Sequence, residues 1–343
     1  MKVLVTGSQG YLGTVLCDVF RQAGIDVVGL DLGLFADCVL GPPPAEVPCI
    51  RKDIRDVEAG DLAGFDAVVH LAALSNDPLG DLNPAWTLEI NHAGAVRTAR
   101  AARAAGAVRF VFASSCSLYG ARGDALLTER DPLAPLTPYA LSKARAETDL
   151  AALADDRFSP VFLRNATLYG FSPRFRADLV VNNLVCWAHT TGAVRVMSDG
   201  TAWRPLLHVE DAARVFLEVV RAPRTRVHNA VFNVGAASQN CSVREIATTV
   251  GAAVPGSQVT FAPSGGTDPR NYRVDFSRLA TAFPGFHPLW DIRRGAEEVL
   301  DACRRHGLTA DRFPDGPFTR LHRIRDLLGR GVLDATFRLT RHG

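Results

Sequence analysis

The first 165 residues alternate between short apolar runs and longer alanine-rich stretches with helical spacing. Val3, Leu4 and Val5 are consecutive apolar residues, the pattern of a strand covered on both faces. Helical spacing follows over residues 11–23, with Gly24 just past the end, where a left-handed stop is expected. Residues 26–30 and 67–70 read as further strands, and 84–105 as a long helix closed by Gly106. A strand at 110–113, a helix at 139–154 and a strand at 161–163 complete the series. Strands and helices in alternation predict a parallel sheet with helices on both faces. Right-handed crossovers make it doubly wound, and such sheets bind ligands beyond the carboxyl ends of their strands.

After Tyr169 the pattern loosens. Loop residues Pro173, Arg174 and Arg176 precede a predicted helix at 179–190, then short strands and the block running from Trp203 to Asp211. We expect a smaller, mixed region built onto the sheet, dividing the chain at 1–167 and 168–343, with some later segments returning to the sheet. No Pro/Gly/Ser linker, internal repeat or low-complexity stretch marks the boundary. The tail from Phe318 is basic and amphipathic, with Leu321, Ile324, Leu327 and Leu328 on one stripe, which predicts ordinary packing.

Composition narrows the function. With 47% hydrophobic and 22% charged residues in 343, the chain has a globular composition. It contains no run of about 18 uncharged apolar residues, so no membrane span is expected. Met1 and Lys2 lead directly into the first strand, without the apolar region of a secretory leader. A net charge of +2 makes no electrostatic case for nucleic acid or a membrane surface. Cysteines 17, 38, 49, 116, 186, 241 and 303 are scattered, with no CxxC or Cys/His ligand spacing. A reduced, cytoplasmic protein without a metal is the expectation. Only Lys2, Lys52 and Lys143 are lysines among the 38 basic residues, so each one invites a question.

Two motifs carry chemistry. Gly7, Gly10 and Gly13, with Tyr11 and Leu12, lie where the first strand turns into the first helix. Such a loop brings main chain close to a pyrophosphate and aims a helix N-terminus at it, while Gly13 permits tight helix–sheet packing. Asp31 ends the second strand, where a carboxylate accepts both ribose hydroxyls and repels a 2′-phosphate; NAD is favoured over NADP. Asp53 and Ile54 follow the third strand-like run, where an Asp can receive an adenine amino group. The second motif is Ser115 at a strand's carboxyl end, followed by Tyr139 and Lys143, four apart on one helix face. An ammonium beside a tyrosine lowers the phenol from about 10 toward neutrality. Such a tyrosine can take or give a proton on a hydroxyl or ketone, with Ser115 bonding the same oxygen. Arginine's diffuse guanidinium substitutes poorly for that lysine.

With these motifs, the chain resembles the extended short-chain dehydrogenases/reductases, in the nucleotide-sugar epimerase/dehydratase group, over about residues 1–300. The residues carrying the likeness also include His70 to Ala73, Asn91, Tyr119, Gly120 and the Arg204–Asp211 block. The resemblance implies a Rossmann domain holding NAD through the glycine loop, Asp31, Asp53, Ile54, Leu71, Ala72, Ala73 and Ala166. It implies that Asn91 supports the active-site helix and a water at the cofactor site, and that Lys143 also reaches the nicotinamide ribose. Ser115, Tyr139 and Lys143 would do the proton chemistry. Ser115, Ser117, Thr167, Asn183 and Arg204 would meet a nucleotide-sugar substrate. Members commonly form homodimers through a four-helix bundle made by the Asn91 and Tyr139 helices.

The residues after Ser115 select among the family's reactions. Dehydratases of the group carry Asp-Glu there and decarboxylases a Glu, whereas this chain has Cys116 and Ser117. An epimerase acting through a keto intermediate, at C4, is the leading expectation; an NAD(P)-dependent reductase of a keto sugar or other carbonyl is the alternative. A sugar dehydratase and a cofactor-sensing regulatory protein rank below these. Two departures touch the substrate side. Thr167 replaces the family's asparagine, and Gly265 replaces its second phosphate arginine, for which Arg270 or Arg273 could stand in. Ser75, Asn76, Asp77 and Pro78 are candidates to face the sugar. Cys116, His189 and His208 are expected to be structural.

Overall fold

The computed structural model describes residues 1–262 and 271–340. Among them, seven parallel strands form the central sheet. Their spatial order is Ala230–Val234, Ser159–Asn165, Arg109–Ser115, Ala67–His70, Lys2–Thr6, Asp26–Asp31 and Cys49–Arg51. The chain starts in the middle, walks out to one edge, and returns to build the other half. Winding therefore reverses between Lys2–Thr6 and Ala67–His70, which opens a crevice at the carboxyl ends of those strands.

Alternation within each strand sorts side chains into two cores. Val3, Val5, Val111, Val161 and Leu163 pack with Leu16 and Phe20 of the Tyr11–Gln22 helix and Phe216 and Val219 of the Val209–Arg221 helix. Leu4, Val68, Phe110, Phe112 and Phe162 pack on the other face, with Ala95 and Ala99 of the Ala95–Ala104 helix and Ala146 and Leu150 of the Pro138–Ala151 helix. Both faces are covered, which is why the strands read as continuous apolar runs.

The helix expected at 84–105 comes in three successive pieces: Pro84–Leu88, a π-helical turn Glu89–Gly94, and Ala95–Ala104. The widened turn carries Asn91, a placement common for π turns at functional sites. Helical periodicity alone does not register one added residue per turn.

The smaller region has a core of its own, including Tyr169, Phe175, Val185, Leu206, Val250 and Val299. A three-stranded sheet, ordered Asn240–Ser242, Trp203–His208, Thr167–Tyr169, faces the crevice. Asn165 belongs to the central sheet and Thr167 to the smaller one, so the chain changes sheets across the single residue Ala166. It then returns to the central sheet with the Val209–Arg221 helix and the Ala230–Val234 strand. The tail also returns. Ile324, Leu327, Leu333 and Phe337 are buried in the second of the two sheet cores, so the apolar stripe is packing.

Candidate active site

A cleft of about 1000 Å³ lies over the strand ends where winding reverses, between the central sheet and the smaller region. Its sheet-side wall includes Gly7, Gly10, Tyr11, Leu12, Gly13, Asp31, Asp53, Ile54, Leu71, Ala72, Ala73 and Ala166. The loop is folded too tightly for side chains. Gly7 has φ +71°, and a Cβ there would sit 2.7 Å from the Ala72 nitrogen; one on Gly13 would sit 2.1 Å from the Gly7 oxygen. Gly10 caps the Tyr11–Gln22 helix without a side-chain acceptor, so first-turn N–H groups stay available to an anion.

Asp31 is fixed by main chain: Oδ2 accepts from Gln9 N at 3.0 Å and Oδ1 from Gly33 N at 2.8 Å. Burial raises its carboxyl above the usual value, against those two hydrogen bonds. Asp53 is held by Arg55, with Nη2–Oδ2 2.7 Å, and caps the short helical turn Ile54–Asp56. Free N–H groups for a diphosphate, and a clamped carboxylate for ribose hydroxyls, fit a dinucleotide. Asn91 is the exception among the expected cofactor residues, for it does not line the cleft. Its amide is buried, taking Leu74 N at 2.8 Å and giving to Leu74 O at 3.0 Å and Ser142 Oγ at 3.2 Å. It ties the Leu74 loop to the helix that carries Tyr139 and Lys143.

Ser115, Ser117, Tyr139 and Lys143 all line the cleft. Thr137 caps the Pro138–Ala151 helix by accepting from Ala140 N at 3.1 Å, with Pro138 in the first turn. Tyr139 and Lys143 follow on one face. Ser115 Oγ accepts from Ser117 N at 3.1 Å and lies 2.9 Å from Ser117 Oγ. Lys143 Nζ donates to Ala113 O at 2.8 Å and stands 4.6 Å from the Phe112 ring centre. Burial pulls the ammonium down to about 7, with Glu147 opposing.

The expected lowering of Tyr139 by Lys143 is corrected here. Burial pushes the phenol up to about 12, Asp77 adds to the rise, and the hydrogen bond to Ser115 and the Arg176 charge oppose it. The reason is desolvation: the same burial that weakens the lysine's charge penalises the phenolate. Beneath these groups, Glu147 pairs with Arg164 at 2.7 Å and accepts from Ser114 Oγ at 2.5 Å, while Arg164 reaches Tyr119 Oη at 2.9 Å. That buried network holds the Ser115 strand against the Lys143 helix.

On the far wall stand Thr167, Asn183 and Arg204. Asn183 Nδ2 donates to Ala177 O at 2.9 Å, and Arg204 Nη1 to Trp203 O at 2.7 Å. Asn182 is buried instead, bonding the Gly170 nitrogen at 2.9 Å and oxygen at 3.0 Å. Ser75, Asn76, Asp77 and Pro78 do line the cleft. Gly265 and Arg270 lie outside the described residues. Arg273 does not line the cleft; its guanidinium sits 4.6 Å from the Trp203 ring centre. Cys116 is buried, with its Sγ 3.1 Å from Arg164 O. His208 pairs with Glu298 at 2.9 Å, and His189 meets Leu308 O at 3.1 Å.

Sequence reasoning missed Arg176, Asp178 and Arg320 as cleft residues. Arg176 pairs with Asp178 at 2.9 Å and reaches Ser75 Oγ at 3.1 Å; Asn76 donates to Asp178 at 2.6 Å. An Arg and an Asp two apart in a loop look like any solvated pair in one sequence. Among the described residues no His/Cys/Asp/Glu group could hold a metal ion, and no helix is long and apolar enough to cross a membrane.

Comparison with known proteins bears on this geometry. The profile of the NAD dependent epimerase/dehydratase family matches residues 3–235. A UDP-glucose 4-epimerase of Mycolicibacterium smegmatis is 29% identical over 322 residues, covering 89% of this chain and 99% of its own. A dTDP-glucose 4,6-dehydratase of Streptomyces griseus is 27% identical over 318 residues, covering 89% and 94%. Among solved structures, MoeE5 in complex with UDP-glucuronic acid and NAD superposes with a TM-score of 0.74 at 30% identity. That match covers 89% of this chain and 99% of MoeE5.

Proposed function

Because this chain belongs to the NAD dependent epimerase/dehydratase family, and is thus an NAD-dependent enzyme of the extended short-chain type, we propose that it epimerises a nucleotide-diphosphate sugar. The reaction oxidises and re-reduces one sugar hydroxyl, at C4, through a keto intermediate. One observation carries the reading: Ser115, Tyr139 and Lys143 share a cleft with the glycine loop, and no carboxylate follows Ser115. Eliminating water needs an acid and a base at that place; moving a proton on one hydroxyl does not.

Tyr139 takes the hydroxyl proton and later returns it. Ser115, steadied by Ser117, donates to the same oxygen and fixes it. Lys143, which burial holds near 7, supports the phenol's proton exchange and would reach the ribose of a bound cofactor. When bound, NAD would supply the hydride acceptor, and its ring charge would favour the phenolate that burial alone disfavours. Gly7, Gly10, Tyr11, Leu12, Gly13 and Asp31 would hold the dinucleotide with Asp53, Ile54, Leu71, Ala72, Ala73 and Ala166; Asn91 acts by positioning. Arg204, Asn183 and Thr167 anchor the substrate's diphosphate while the sugar turns its other face. Anchoring by the diphosphate leaves the sugar free to rotate, which an epimerase requires.

The Asn91 and Tyr139 helices lie side by side, joined by His92 and Asp149 at 2.6 Å. We read their outer faces as the homodimer's four-helix bundle, checked by light scattering. All seven cysteines are unpaired, which suits a cytoplasmic setting. The test of the reaction is incubation with UDP-, GDP- and dTDP-hexoses and product identification by NMR. An epimer formed without net consumption of NAD is expected. A 4-keto-6-deoxy product would overturn the reading in favour of dehydration. Stoichiometric consumption of reduced cofactor would favour the reductase.

A further inference from the structure

The tail of the chain enters the same cleft. Thr319, Arg320, Leu321, His322 and Phe337 line it. The Arg320–Gly329 helix, ten residues long, starts without a side-chain cap at Thr319. Its first-turn N–H groups have no partner within the helix. Arg320 occupies the first position and is 3% exposed. Its Nη2 donates to Arg174 O at 3.0 Å, and its guanidinium lies 4.4 Å from the Phe35 ring centre. Its Nη1 is buried without a hydrogen-bond partner among the described residues. Burial, with Arg176 and Arg174 nearby, pulls the guanidinium down to about 10. The groups that oppose this are the Cys38 thiol and Asp178, and Asp178 is already bonded to Arg176 at 2.9 Å. A buried cation with no carboxylate of its own is costly, and an anionic ligand is its complement.

The surroundings say which anion. Phe35 and Leu34 follow the strand that ends in Asp31, and Arg323 Nε donates to Leu34 O at 3.2 Å. At the other end of the tail, Arg55, the partner of Asp53, donates to Thr336 O at 2.9 Å and Phe337 O at 2.6 Å. Residues 318–340 therefore reach from the neighbourhood of Asp31 to that of Asp53, the two carboxylates assigned to the adenosine end.

We propose that residues 318–340 form a strap over the adenosine half of the NAD site, and that Arg320, with the open N-terminus of its helix, binds the dinucleotide's diphosphate. The inference rests on the family's use of NAD and not on epimerisation. It makes the C-terminal tail part of the cofactor site, well beyond the glycine loop that opens the chain.

Calorimetric titration of the full-length protein with ADP-ribose, adenosine and UDP tests it without any substrate or turnover. Arg320→Gln is expected to weaken ADP-ribose by about tenfold or more, while adenosine and UDP bind as before. Arg320→Lys, which keeps the charge but loses the planar fork, should fall between the two. Unchanged ADP-ribose affinity in Arg320→Gln overturns the proposal. So does a loss confined to UDP, which would assign the arginine to the nucleotide sugar. If Arg320→Gln does not fold, an Arg320→Lys protein that binds ADP-ribose as tightly as the wild type overturns it instead. Absence of sugar epimerisation leaves this result untouched, so the two readings fail separately.

Discussion

On the sheet side of the cleft, Gly7, Gly10 and Gly13 bring bare main chain to the ligand, and Asp31 is clamped between two main-chain N–H groups. Across the gap, Arg176, Asn183 and Arg204 line the cleft from a loop, a helix and a small sheet. The first wall is set by backbone geometry, which a single added methyl breaks. The second is set by side-chain charge and amide groups, which tolerate exchange of residue type. A nucleotide common to a whole family suits the rigid wall; sugars and bases that differ between relatives suit the adaptable one.

The comparison can be broken most sharply at the chemistry between the walls. Tyr139→Phe should lower turnover by about two to four orders of magnitude, the usual worth of a positioned proton carrier, with NAD affinity unchanged by calorimetry. Near-full activity would show that the proton carrier lies elsewhere. Next comes the far wall. Arg204→Ala removes one partner of a charge-assisted contact, a loss of about 2–5 kcal/mol. The substrate's dissociation constant should rise more than about tenfold while NAD binding stays put. If NAD weakens equally, the two walls are not separable.

On the sheet side, Asp31→Asn should narrow the preference for NAD over NADP several-fold and leave UDP binding intact. Equal binding of both cofactors by the wild type would sink the assignment of Asp31. The smallest effect is on stability. Burial holds Lys143 near 7 in the folded protein against an ordinary 10.5. Between those values the unfolded chain binds a proton that the folded chain lacks, so stability rises with pH across that window and is least below 7. Lys143→Met should therefore raise the melting temperature of the ligand-free protein more at pH 6 than at pH 10. An equal gain at both would mean that the ammonium is not desolvated.

The rigid wall was the legible one. Three glycines between an apolar run and a helical stretch, and a Tyr and Lys one turn apart, are local spacings that survive without a structure. The sheet and its winding followed from the same periodicity. What escaped were features that depend on distant segments meeting. The Arg176–Asp178 pair is distinguished from a surface pair by burial alone, and Arg320 reaches the cleft from the end of the chain. The state of Tyr139 is not legible in the sequence, because proximity of charge can be read from spacing, whereas the desolvation that outweighs it cannot. Asn91 sits on a π turn that periodicity does not reveal.

Ala166 has one more consequence. Because the chain leaves the central sheet there and later comes back, the Ser159–Asn165 strand is interior only through a neighbour, Ala230–Val234, that lies more than sixty positions further along. A fragment ending at residue 167 would present Ser159–Asn165 as a naked edge, its row of N–H and C=O groups ready to template another chain. It would also lose the Val209–Arg221 helix that covers one face. The two regions thus cannot be parted like beads on a string: cutting between them makes an aggregating strand out of a core one.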